Sequence, residues 1–373
     1  MTAGVVVAPD RDLVPGYVLV EDGRIAEVGQ GQPRGADHRF PEGILVPGFV
    51  DLQVNGAAGA DFLTCTPEQF ARARAFLAST GTTSFLPTLV TAPLDAVKEA
   101  ARVVMESSPD GAQPVGIHLE GPALNPARAG AHDPRWMLSP EDPQLRQLVV
   151  ELGRSVRLVT LAPEQPGGVE LVRWLAGQGV VASLGHTDAT YAQAREAFSA
   201  GARMVTHLFN AMRGFHHREP GVVGAALEEG DWACGLVADG FHVHPAAFCL
   251  AYRLLGPERI SLVTDAVSAL GAPAGRYRLG SREITAEPPG PPRLADGTLA
   301  GSVLRMDHAV ANAVRWGVPL RDAVRMASTT PARLAGLSDR GEVRPGLRAD
   351  LCVLLEGQAA MTLVAGRVVW QRA

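Results

Sequence analysis

The feature that most constrains the fold is a repeated alternation of strand-like and helix-like segments between about residues 47 and 335. Short apolar runs rich in β-branched residues are followed by longer segments in which apolar residues recur at helical spacing. Repeated strand–helix units predict a parallel sheet, and this many units predict an α/β fold of the (β/α)8 TIM-like barrel type. The strand candidates are residues 48–54, 115–120, 156–160, 180–184, 204–208, 232–237 and 260–265.

Helical patterns lie between these strand candidates. Thr66 followed by Pro67 and Glu68 predicts a helix start, because threonine is a good N-cap and proline suits the first helical position. Residues 287–293 (EPPGPPR) predict a loop, since so many prolines can continue neither a helix nor a strand. The helix candidates are residues 67–77, 94–105, 168–176 and 191–200.

The two ends of the chain differ from the middle. Both ends contain short apolar runs separated by turn signals, such as Asp22-Gly23, which suits the tight turn of a β-hairpin. We therefore expect one small β-sandwich domain built from both termini, comprising residues 1–46 and 339–373. The barrel is expected to span residues 47–338, and the shared β domain places the chain ends close together.

Composition excludes several classes of protein. Hydrophobic residues make up 46% of the 373 residues and charged residues 20%, which excludes intrinsic disorder. The net charge of −5 argues against a nucleic-acid binder with a broad basic surface. We expect no signal peptide and no membrane span, because no long uninterrupted apolar stretch is present. The four cysteines form no CxxC pair, so we expect a reducing, cytoplasmic location.

Four residues with metal or proton chemistry stand at the ends of predicted strands: Glu120, His186, His207 and Asp265. The active site of a TIM barrel lies at the carboxyl ends of its strands, so these side chains are expected to converge. Two imidazoles and one carboxylate with an open fourth position are a usual catalytic zinc set. Such a metal lowers the pKa of a water molecule to about 7, and a neighbouring carboxylate can then move the proton.

A histidine in a strand is often only a core residue, which is the alternative for His186 and His207. Each of them ends a strand and opens a loop, a position that favours a ligand. His118 lies on the same face of its strand as Glu120 but deeper, so we expect it in the core or behind the ligands.

Seven segments carry a resemblance to a known family. Taken together and in this order, they resemble the N-acetylglucosamine-6-phosphate deacetylase family of the amidohydrolase superfamily, over about residues 44–350. The segments are residues 47–56 (PGFVDLQVNG), 118–122 (HLEGP), 185–187 (GHT), 206–212 (THLFNAM), 218–221 (REPG), 238–242 (ADGFH) and 263–266 (VTDA).

The resemblance also bears on the metal centre. Many amidohydrolases carry His-x-His on the first barrel strand, where this chain has Gln53 and Asn55, which are poor zinc ligands. Many also bridge two metals with a carboxylated lysine, and the one lysine here, Lys98, lies in a predicted helix. The resemblance therefore implies one principal divalent metal ion, with Zn²⁺ first and Fe²⁺, Co²⁺ or Mn²⁺ as alternatives. The implied ligands are Glu120, His186 and His207.

The implied reaction is hydrolysis of the acetamide of N-acetyl-D-glucosamine 6-phosphate to D-glucosamine 6-phosphate and acetate. A metal-activated water is the implied nucleophile, Asp265 the general base and acid, and the metal with His132 the stabiliser of the oxyanion. The resemblance also implies a homodimer that binds a small sugar phosphate and neither nucleic acid nor membrane. The implied substrate-binding residues are Ala131, His132, Asn210, Ala211, Arg218, His242, Ala300, Gly301 and Ser302.

Two alternatives stay open at this stage. The chain could be another mononuclear amidohydrolase that acts on a different amide or amine, although Arg218 and His242 favour a phosphorylated substrate. It could instead be a non-catalytic sugar-phosphate-binding protein, although such proteins typically lose ligands that are all present here. The sequence leaves open the metal identity, a second metal site and the use of N-acetylgalactosamine 6-phosphate. At Ala300 the family often has serine, so one hydrogen bond is lost if the contact there is made through the hydroxyl, and none is lost if it is made through the backbone.

Overall fold

The structure is a computed structural model that describes residues 1–105, 110–228 and 230–372. In the described residues, no helix has both the length and the apolar character needed to cross a bilayer. The strands are, in chain order, β1 (Thr2–Val7), β2 (Asp12–Leu13), β3 (Gly16–Glu21), β4 (Arg24–Gln30), β5 (Arg39–Pro47), β6 (Phe49–Val54), β7 (Gly56–Ala57), β8 (Ala60–Asp61), β9 (Thr82–Val90), β10 (Gln113–Pro114), β11 (Ile117–Glu120), β12 (Val156–Leu161), β13 (Val181–Leu184), β14 (Met204–Val205), β15 (Ala233–Leu236), β16 (Ile260–Leu262), β17 (Gly275–Leu279), β18 (Arg282–Ala286), β19 (Leu351–Leu355), β20 (Gln358–Val364) and β21 (Arg367–Gln371).

The helices alternate with the barrel strands as the sequence predicts. The predicted start of the first helix is confirmed, because the Thr66 hydroxyl accepts from the backbone N–H of Gln69 while the Gln69 side chain accepts from the backbone N–H of Thr66. The helices are α1 (Pro67–Ala78), α2 (Leu94–Val104), α3 (Pro143–Leu152), α4 (Gly168–Gly177), α5 (Tyr191–Ala200), α6 (Gly221–Leu227), α7 (Pro245–Leu255), α8 (Met306–Arg315), α9 (Leu320–Ala327) and α10 (Thr329–Leu334).

Within the described residues, eight parallel strands form a nearly closed barrel in the order β6, β9, β11, β12, β13, β14, β15, β16. The segment after β16 returns to β6 and closes the ring. Asp265 N donates to Gln53 O at 2.8 Å, and Asn55 N donates to Ala266 O at 2.7 Å. The predicted (β/α)8 barrel is therefore confirmed.

The strand β9 is absent from the seven strand candidates of the sequence. Its run TTSFLPTLV contains Pro87, and a proline argues against a central strand because it cannot donate to the ladder. In the structure all nine residues of β9 are buried, and Pro87 lies opposite Val54 where the register is irregular. Val54 N donates instead to the Thr88 hydroxyl at 3.1 Å. Proline is tolerated here because the ladder is already interrupted.

A second sheet joins the two termini, which confirms the expected small β domain. Its strands run in the order β21, β20, β19, β5, β1, β3, β4, with β2 beside β1. The predicted hairpin turn has Asp22 and Gly23 at φ 48° and 76°, the left-handed backbone of a tight hairpin. Because β5 continues directly into the first barrel strand, this sheet fixes where the barrel begins.

Asp51 links the first barrel strand to the last across the closure. Its carboxylate accepts from the Thr264 hydroxyl at 2.5 Å, from Thr264 N at 3.2 Å and from Gln53 N at 3.2 Å. The side chain is completely buried, and this burial raises the pKa of Asp51 to about 7 despite the three donors. Thr264 precedes Asp265, so this link holds the acid–base candidate against the first strand.

We expect Thr264→Val to destabilise the fold by about 1–3 kcal/mol, because a buried carboxylate loses its hydroxyl donor. Chemical denaturation of the purified variant measures the change. The matched control is Thr83→Val, since the buried Thr83 hydroxyl donates only to the neutral Phe49 carbonyl, at 3.3 Å. Its loss is expected to be about 1 kcal/mol or less. Equal losses in the two variants would contradict a special role for the Asp51 link.

Candidate active site

Four chemically active side chains converge at the carboxyl end of the barrel. Glu120 is the last residue of β11, whereas His186, His207 and Asp265 lie two or three residues beyond β13, β14 and β16. All four are buried. The last three have φ values of 49°, 27° and 49°, a left-handed backbone that is uncommon outside glycine and is typical of functional sites.

Three ligand atoms lie at nearly equal separations. Glu120 Oε1 is 3.2 Å from His186 Nε2 and 3.1 Å from His207 Nε2, and the two Nε2 atoms are 3.1 Å apart. Ligand atoms about 2.1 Å from a tetrahedral zinc ion stand about 3.4 Å from one another. The spacing therefore fits a single divalent ion bound between the three side chains.

The positions of protons support the same conclusion. His186 Nδ1 lies 2.9 Å from the Arg128 carbonyl oxygen and donates to it, so Nε2 keeps a lone pair that faces the cluster. His207 Nδ1 is buried and has no hydrogen-bond partner in the described part of the chain. The His186 lone pair, the Glu120 carboxylate oxygen and the His207 imidazole share one small space. This arrangement becomes favourable when a cation lies between them.

Electrostatics keep Glu120 ionised and His186 neutral, the forms in which these two side chains bind a metal. Burial alone would raise the pKa of Glu120, but the neighbouring imidazoles of His132, His186 and His207 outweigh it and hold that pKa well below its usual value. Burial, reinforced by the neighbouring His132, lowers the pKa of His186 to about 4, so its imidazole is neutral. Burial also opposes the charge on His207, but Glu120 outweighs it and raises the pKa of His207.

His132 is a second candidate ligand by proximity. Its ligand atoms and those of Glu120 and His186 all lie within 4.8 Å of one another, and its Nε2 is 3.7 Å from Glu120 Oε2. However, His132 Nδ1 accepts from the backbone N–H of Thr91 at 3.3 Å, which leaves the proton on Nε2. A protonated Nε2 is a hydrogen-bond donor and cannot bind a metal, so the geometry favours His207 over His132 as the third ligand.

The first-strand amides connect the two carboxylates. Gln53 Nε2 donates to Glu120 Oε1 at 2.9 Å and to Asp265 Oδ1 at 3.2 Å, and Asn55 Nδ2 donates to Asp265 Oδ1 at 2.8 Å. Both side chains thus act as donors here. Burial, with the charge of Glu120, raises the pKa of Asp265 to about 6. Lys98 lies on α2, where it pairs with Glu151 at 2.7 Å and takes no part in the site.

The cluster opens into a cavity of about 300 Å³, within the size range of small-molecule sites. Several residues that the sequence singles out line it, with Val90, Leu279, Thr298 and Leu299 as additional wall. The lining residues from the sequence-based set are Asn55, Glu120, Ala131, His132, His186, His207, Asn210, Ala211, His242, Asp265 and Gly301.

Three substrate-binding candidates lie outside this lining. Ala300 is fully buried, and the Ser302 hydroxyl donates to the Thr264 carbonyl at 2.5 Å, behind the cavity wall. Of the segment 300–302, only Gly301 reaches the cavity. Arg218 is exposed on its loop, with Nη1 2.9 Å from His217 Nε2. A motif read along the sequence does not distinguish a residue that faces the ligand from its buried or exposed neighbour.

An ion-pair cluster behind His186 is a feature that the sequence analysis missed. Asp188 Oδ1 accepts from Arg128 Nε and Nη2 at 2.9 and 2.6 Å, and Asp188 Oδ2 accepts from Arg213 Nη2 at 2.6 Å. Arg128 is the residue whose carbonyl orients His186. The only signal for Asp188 is its place two residues after a ligand candidate, because its arginine partners come from two other loops.

Comparisons with known proteins agree with this geometry. Residues 44–369 match the amidohydrolase family. The chain is 41% identical over 344 residues to N-acetylgalactosamine-6-phosphate deacetylase of Escherichia coli O157:H7, covering 91% of this chain and 90% of that protein. It is 35% identical over 379 residues to N-acetylglucosamine-6-phosphate deacetylase of Bacillus subtilis (strain 168), covering 98% and 95%.

A solved structure is similar over nearly the whole chain. It is an aspartate-to-alanine mutant of N-acetyl-D-glucosamine-6-phosphate deacetylase from Mycobacterium smegmatis in complex with N-acetyl-D-glucosamine-6-phosphate. The TM-score is 0.93 at 38% identity, covering 99% of this chain and 98% of that one. Family membership together with the Glu120 cluster implies a divalent metal ion. The chain therefore belongs to the N-acetylglucosamine-6-phosphate deacetylase family of the amidohydrolases and is a hydrolytic enzyme.

Proposed function

We propose that this protein hydrolyses the acetamide of N-acetyl-D-glucosamine 6-phosphate to D-glucosamine 6-phosphate and acetate. The observation that carries the proposal is the cluster of Glu120, His186 and His207, whose ligand atoms lie 3.1–3.2 Å apart in the same cavity as Asp265. Relatives named for this activity, one of them solved with this sugar phosphate, support the choice of substrate.

One divalent ion, zinc first and Fe²⁺, Co²⁺ or Mn²⁺ as alternatives, is proposed to bind to Glu120, His186 and His207. Two imidazoles and one carboxylate suit zinc and leave a coordination position open. When bound, the ion supplies Lewis acidity, which polarises an amide carbonyl and acidifies a water molecule. Gln53 and Asn55 direct N–H donors toward the carboxylates, so a second ion at the first strand is not expected.

Asp265 is proposed to carry the proton in both directions. As a carboxylate it takes a proton from the attacking water, and as an acid it gives that proton to the departing amine nitrogen, so no second acid–base group is needed. Gln53 and Asn55 both donate to its Oδ1, which leaves Oδ2 for the reacting groups. A pKa raised to about 6 by burial lies close to neutral pH, where both proton transfers are efficient.

His132 is proposed to stabilise the oxyanion. The backbone N–H of Thr91 occupies its Nδ1, so Nε2 carries a proton that can be donated to the substrate carbonyl oxygen. A donor fixed before the reaction stabilises charge that develops during it, because no reorganisation is needed at that moment. His132 lines the same cavity as the Glu120 cluster, as this role requires.

The remaining cavity residues are proposed to hold the sugar phosphate. The backbone N–H of Ala211 donates to no acceptor in the described part of the chain, so it is free for a phosphate or hydroxyl oxygen. Asn210 and His242 flank the same space, with Ala131 and Gly301 as backbone wall. Ala300 and Ser302 do not line the cavity, so we propose that they act indirectly, by fixing the backbone of Gly301. Arg218 binds phosphate only if its exposed loop brings the guanidinium to the cavity mouth.

A second candidate substrate is N-acetylgalactosamine 6-phosphate, because the relative from Escherichia coli O157:H7 is named for that sugar. The two sugars differ at one hydroxyl, and the acetamide chemistry is the same for both. A non-catalytic binding role is disfavoured, since Glu120, His186, His207 and Asp265 are all in place. Action on a different amide or amine remains the alternative, and a screen of such substrates tests it.

We also propose a cytoplasmic homodimer. The four cysteines are free thiols, the form expected in a reducing compartment. Exposed apolar side chains, among them Phe215, Phe241, Leu250 and Leu254, offer area for a second copy of the chain.

Purified protein is expected to release acetate from N-acetylglucosamine 6-phosphate and far less from unphosphorylated N-acetylglucosamine. Asp265→Asn is expected to lower kcat about 10²–10⁴-fold, because proton transfer to and from the substrate is lost. Acetate assays measure both, and metal content confirms that the variant keeps its site. Release from neither sugar by metal-loaded protein would reject the substrate, and an active Asp265→Asn variant would reject the role of Asp265.

Removal of the metal by a chelator is expected to abolish hydrolysis, and one equivalent of Zn²⁺ per chain is expected to restore it. Elemental analysis and titration of activity against added metal measure the stoichiometry. Glu120→Gln removes the shared carboxylate and should lose the ion without chelator. Restoration that requires two equivalents per chain would contradict a single site.

Asp188→Asn is expected to weaken Zn²⁺ binding about 10–100-fold, the usual cost of losing a group that orients a ligand. The substitution removes the charge that holds Arg128, whose carbonyl fixes the His186 ring. Competition with a chromophoric chelator measures the dissociation constant. Glu283→Gln, which breaks the exposed pair between Arg276 and Glu283, is the control and should leave zinc affinity unchanged. Equal affinity in both variants would show that Asp188 has no role in metal binding.

A further inference from the structure

Five buried side chains form a hydrogen-bonded row across the barrel interior. Each is at most 1% exposed, and each lies on or directly after a different barrel strand. In the order of their contacts they are Thr88, His118, Thr160, Thr206 and Ser183, and we call them the hydroxyl network. The distances are 3.2 Å from Thr88 Oγ1 to His118 Nδ1, 2.7 Å from His118 Nε2 to Thr160 Oγ1, 2.7 Å between the Thr160 and Thr206 hydroxyls, and 2.6 Å between the Thr206 and Ser183 hydroxyls. The network therefore joins β9, β11, β12, β13 and β14, which are neighbours in the barrel.

The two ends of the network fix the direction of its hydrogen bonds. The Thr88 hydroxyl donates its one proton to the backbone carbonyl oxygen two residues earlier, at 3.3 Å, so Thr88 Oγ1 accepts from His118 Nδ1. At the other end, the Thr206 hydroxyl is the one partner of Ser183 Oγ in the described part of the chain, so Ser183 donates to it. Thr206 then donates to Thr160, and Thr160 donates to the lone pair on His118 Nε2. In this arrangement every buried proton has an acceptor, as buried polar groups require.

The network lies directly beside two of the proposed metal ligands. His118 precedes Glu120 by two residues and lies on the same face of β11. Thr206 directly precedes His207, which has the left-handed φ of 27°. A hydrogen bond made by either network residue therefore fixes the strand from which a ligand projects.

Gly185 carries the contact to the third proposed ligand, His186. A Cβ atom on Gly185 would lie 2.8 Å from Thr160 Cγ2 and 2.8 Å from Thr206 Cβ, closer than such atoms approach in proteins. Only glycine fits between the two threonines. Their positions therefore determine where the backbone enters His186, whose φ is 49°.

We infer that the hydroxyl network positions Glu120, His186 and His207 for the metal ion, with Thr160 and Thr206 as its central positioning residues. The inference rests on the proposed function, because these three side chains are the proposed ligands. None of the five network members is among the described residues that line the 300 Å³ cavity, so the network acts through the ligands and does not contact the substrate. By joining the strands beneath the ligands, it keeps the ligand atoms 3.1–3.2 Å apart.

The competing explanation is that these hydroxyls only satisfy one another and contribute nothing to metal binding. Thr160 separates the two explanations because it lies at the middle of the network. Thr160→Val keeps the Cγ2 atom that packs on Gly185 but removes the hydroxyl, so the Thr206 proton loses its acceptor and His118 Nε2 its donor. Thr160→Ser keeps the hydroxyl and removes only the methyl group.

Zinc affinity of the metal-free protein, measured by competition with a chromophoric chelator, is the first readout. Thr160→Val is expected to weaken Zn²⁺ binding about 10–100-fold, the usual cost of losing a group that orients metal ligands. Thr160→Ser should bind Zn²⁺ as the unchanged protein does. The visible absorption spectrum of bound Co²⁺, which reports ligand geometry, should change in Thr160→Val and not in Thr160→Ser.

Thr362→Val is the matched control. Thr362 is also completely buried, and its hydroxyl donates to the Ala78 carbonyl at 2.7 Å, in the terminal sheet. Both valine variants should unfold at lower denaturant concentration, but only Thr160→Val should lose zinc affinity. Equal zinc affinity in the two valine variants, or equal weakening in Thr160→Val and Thr160→Ser, would overturn the inference.

Nitrogen-15 NMR of histidine-labelled, metal-free protein tests the network without any change to Thr160. The His118 resonances are identified by their loss in His118→Gln. We expect a proton on Nδ1 and a lone pair on Nε2, and a proton on Nε2 would overturn the inferred direction of the hydrogen bonds and the inference with it. Failure to hydrolyse either 6-phosphorylated sugar, with the zinc and NMR results as expected, would reject the proposed function and keep the positioning role.

Discussion

The site depends on how the buried carboxylate of Glu120 is stabilised. A carboxylate at the centre of a barrel is costly unless charges and donors surround it. Here Gln53 donates to Oε1, and the Nε2 atoms of His186 and His207 lie within 3.2 Å of the same oxygen. Gln53 brings an N–H donor, whereas the two ring nitrogens share one small space with that oxygen. Glu120 Oε1 and the two Nε2 atoms would hold a divalent ion there, since two imidazoles and one carboxylate are a usual zinc set.

Closure of the barrel determines whether Asp265, the proposed acid–base group, meets this cluster. Asp265 belongs to the segment after the last strand, and its backbone N–H donates to the carbonyl of Gln53 on the first. The Asp51 carboxylate strengthens the same closure through Thr264. The first strand thus has two functions, since its backbone closes the barrel and its amides, Gln53 and Asn55, hold the two carboxylates of the site. Gln53 and Asn55 stand where many amidohydrolases have histidines, and they contribute to the site as hydrogen-bond donors.

The sequence predicts the barrel, the small terminal sheet and the convergence of Glu120, His186, His207 and Asp265, because strand ends in a parallel barrel meet at one face. It does not predict β9, since Pro87 has the local signature of a strand breaker and only the irregular pairing with β6 accommodates it. Nor does it predict the ion pairs of Asp188, although this residue directly follows one of the segments that carry the family resemblance. Its arginine partners are brought to it by loop conformations, and these follow no periodic sequence pattern.

The ion pair of Asp188 shows how the site is held from behind. Asp188 pairs with Arg128, whose carbonyl oxygen accepts from the His186 ring. Such support is needed because His186, His207 and Asp265 adopt left-handed backbone conformations, each of which costs about 1–3 kcal/mol and persists only where its surroundings fix it. The strands bring the reacting groups to one place. Charged loop residues then hold these groups in left-handed backbone conformations that an isolated loop would not keep. Stability of these loops is therefore a condition for the chemistry, and not a separate property of the fold.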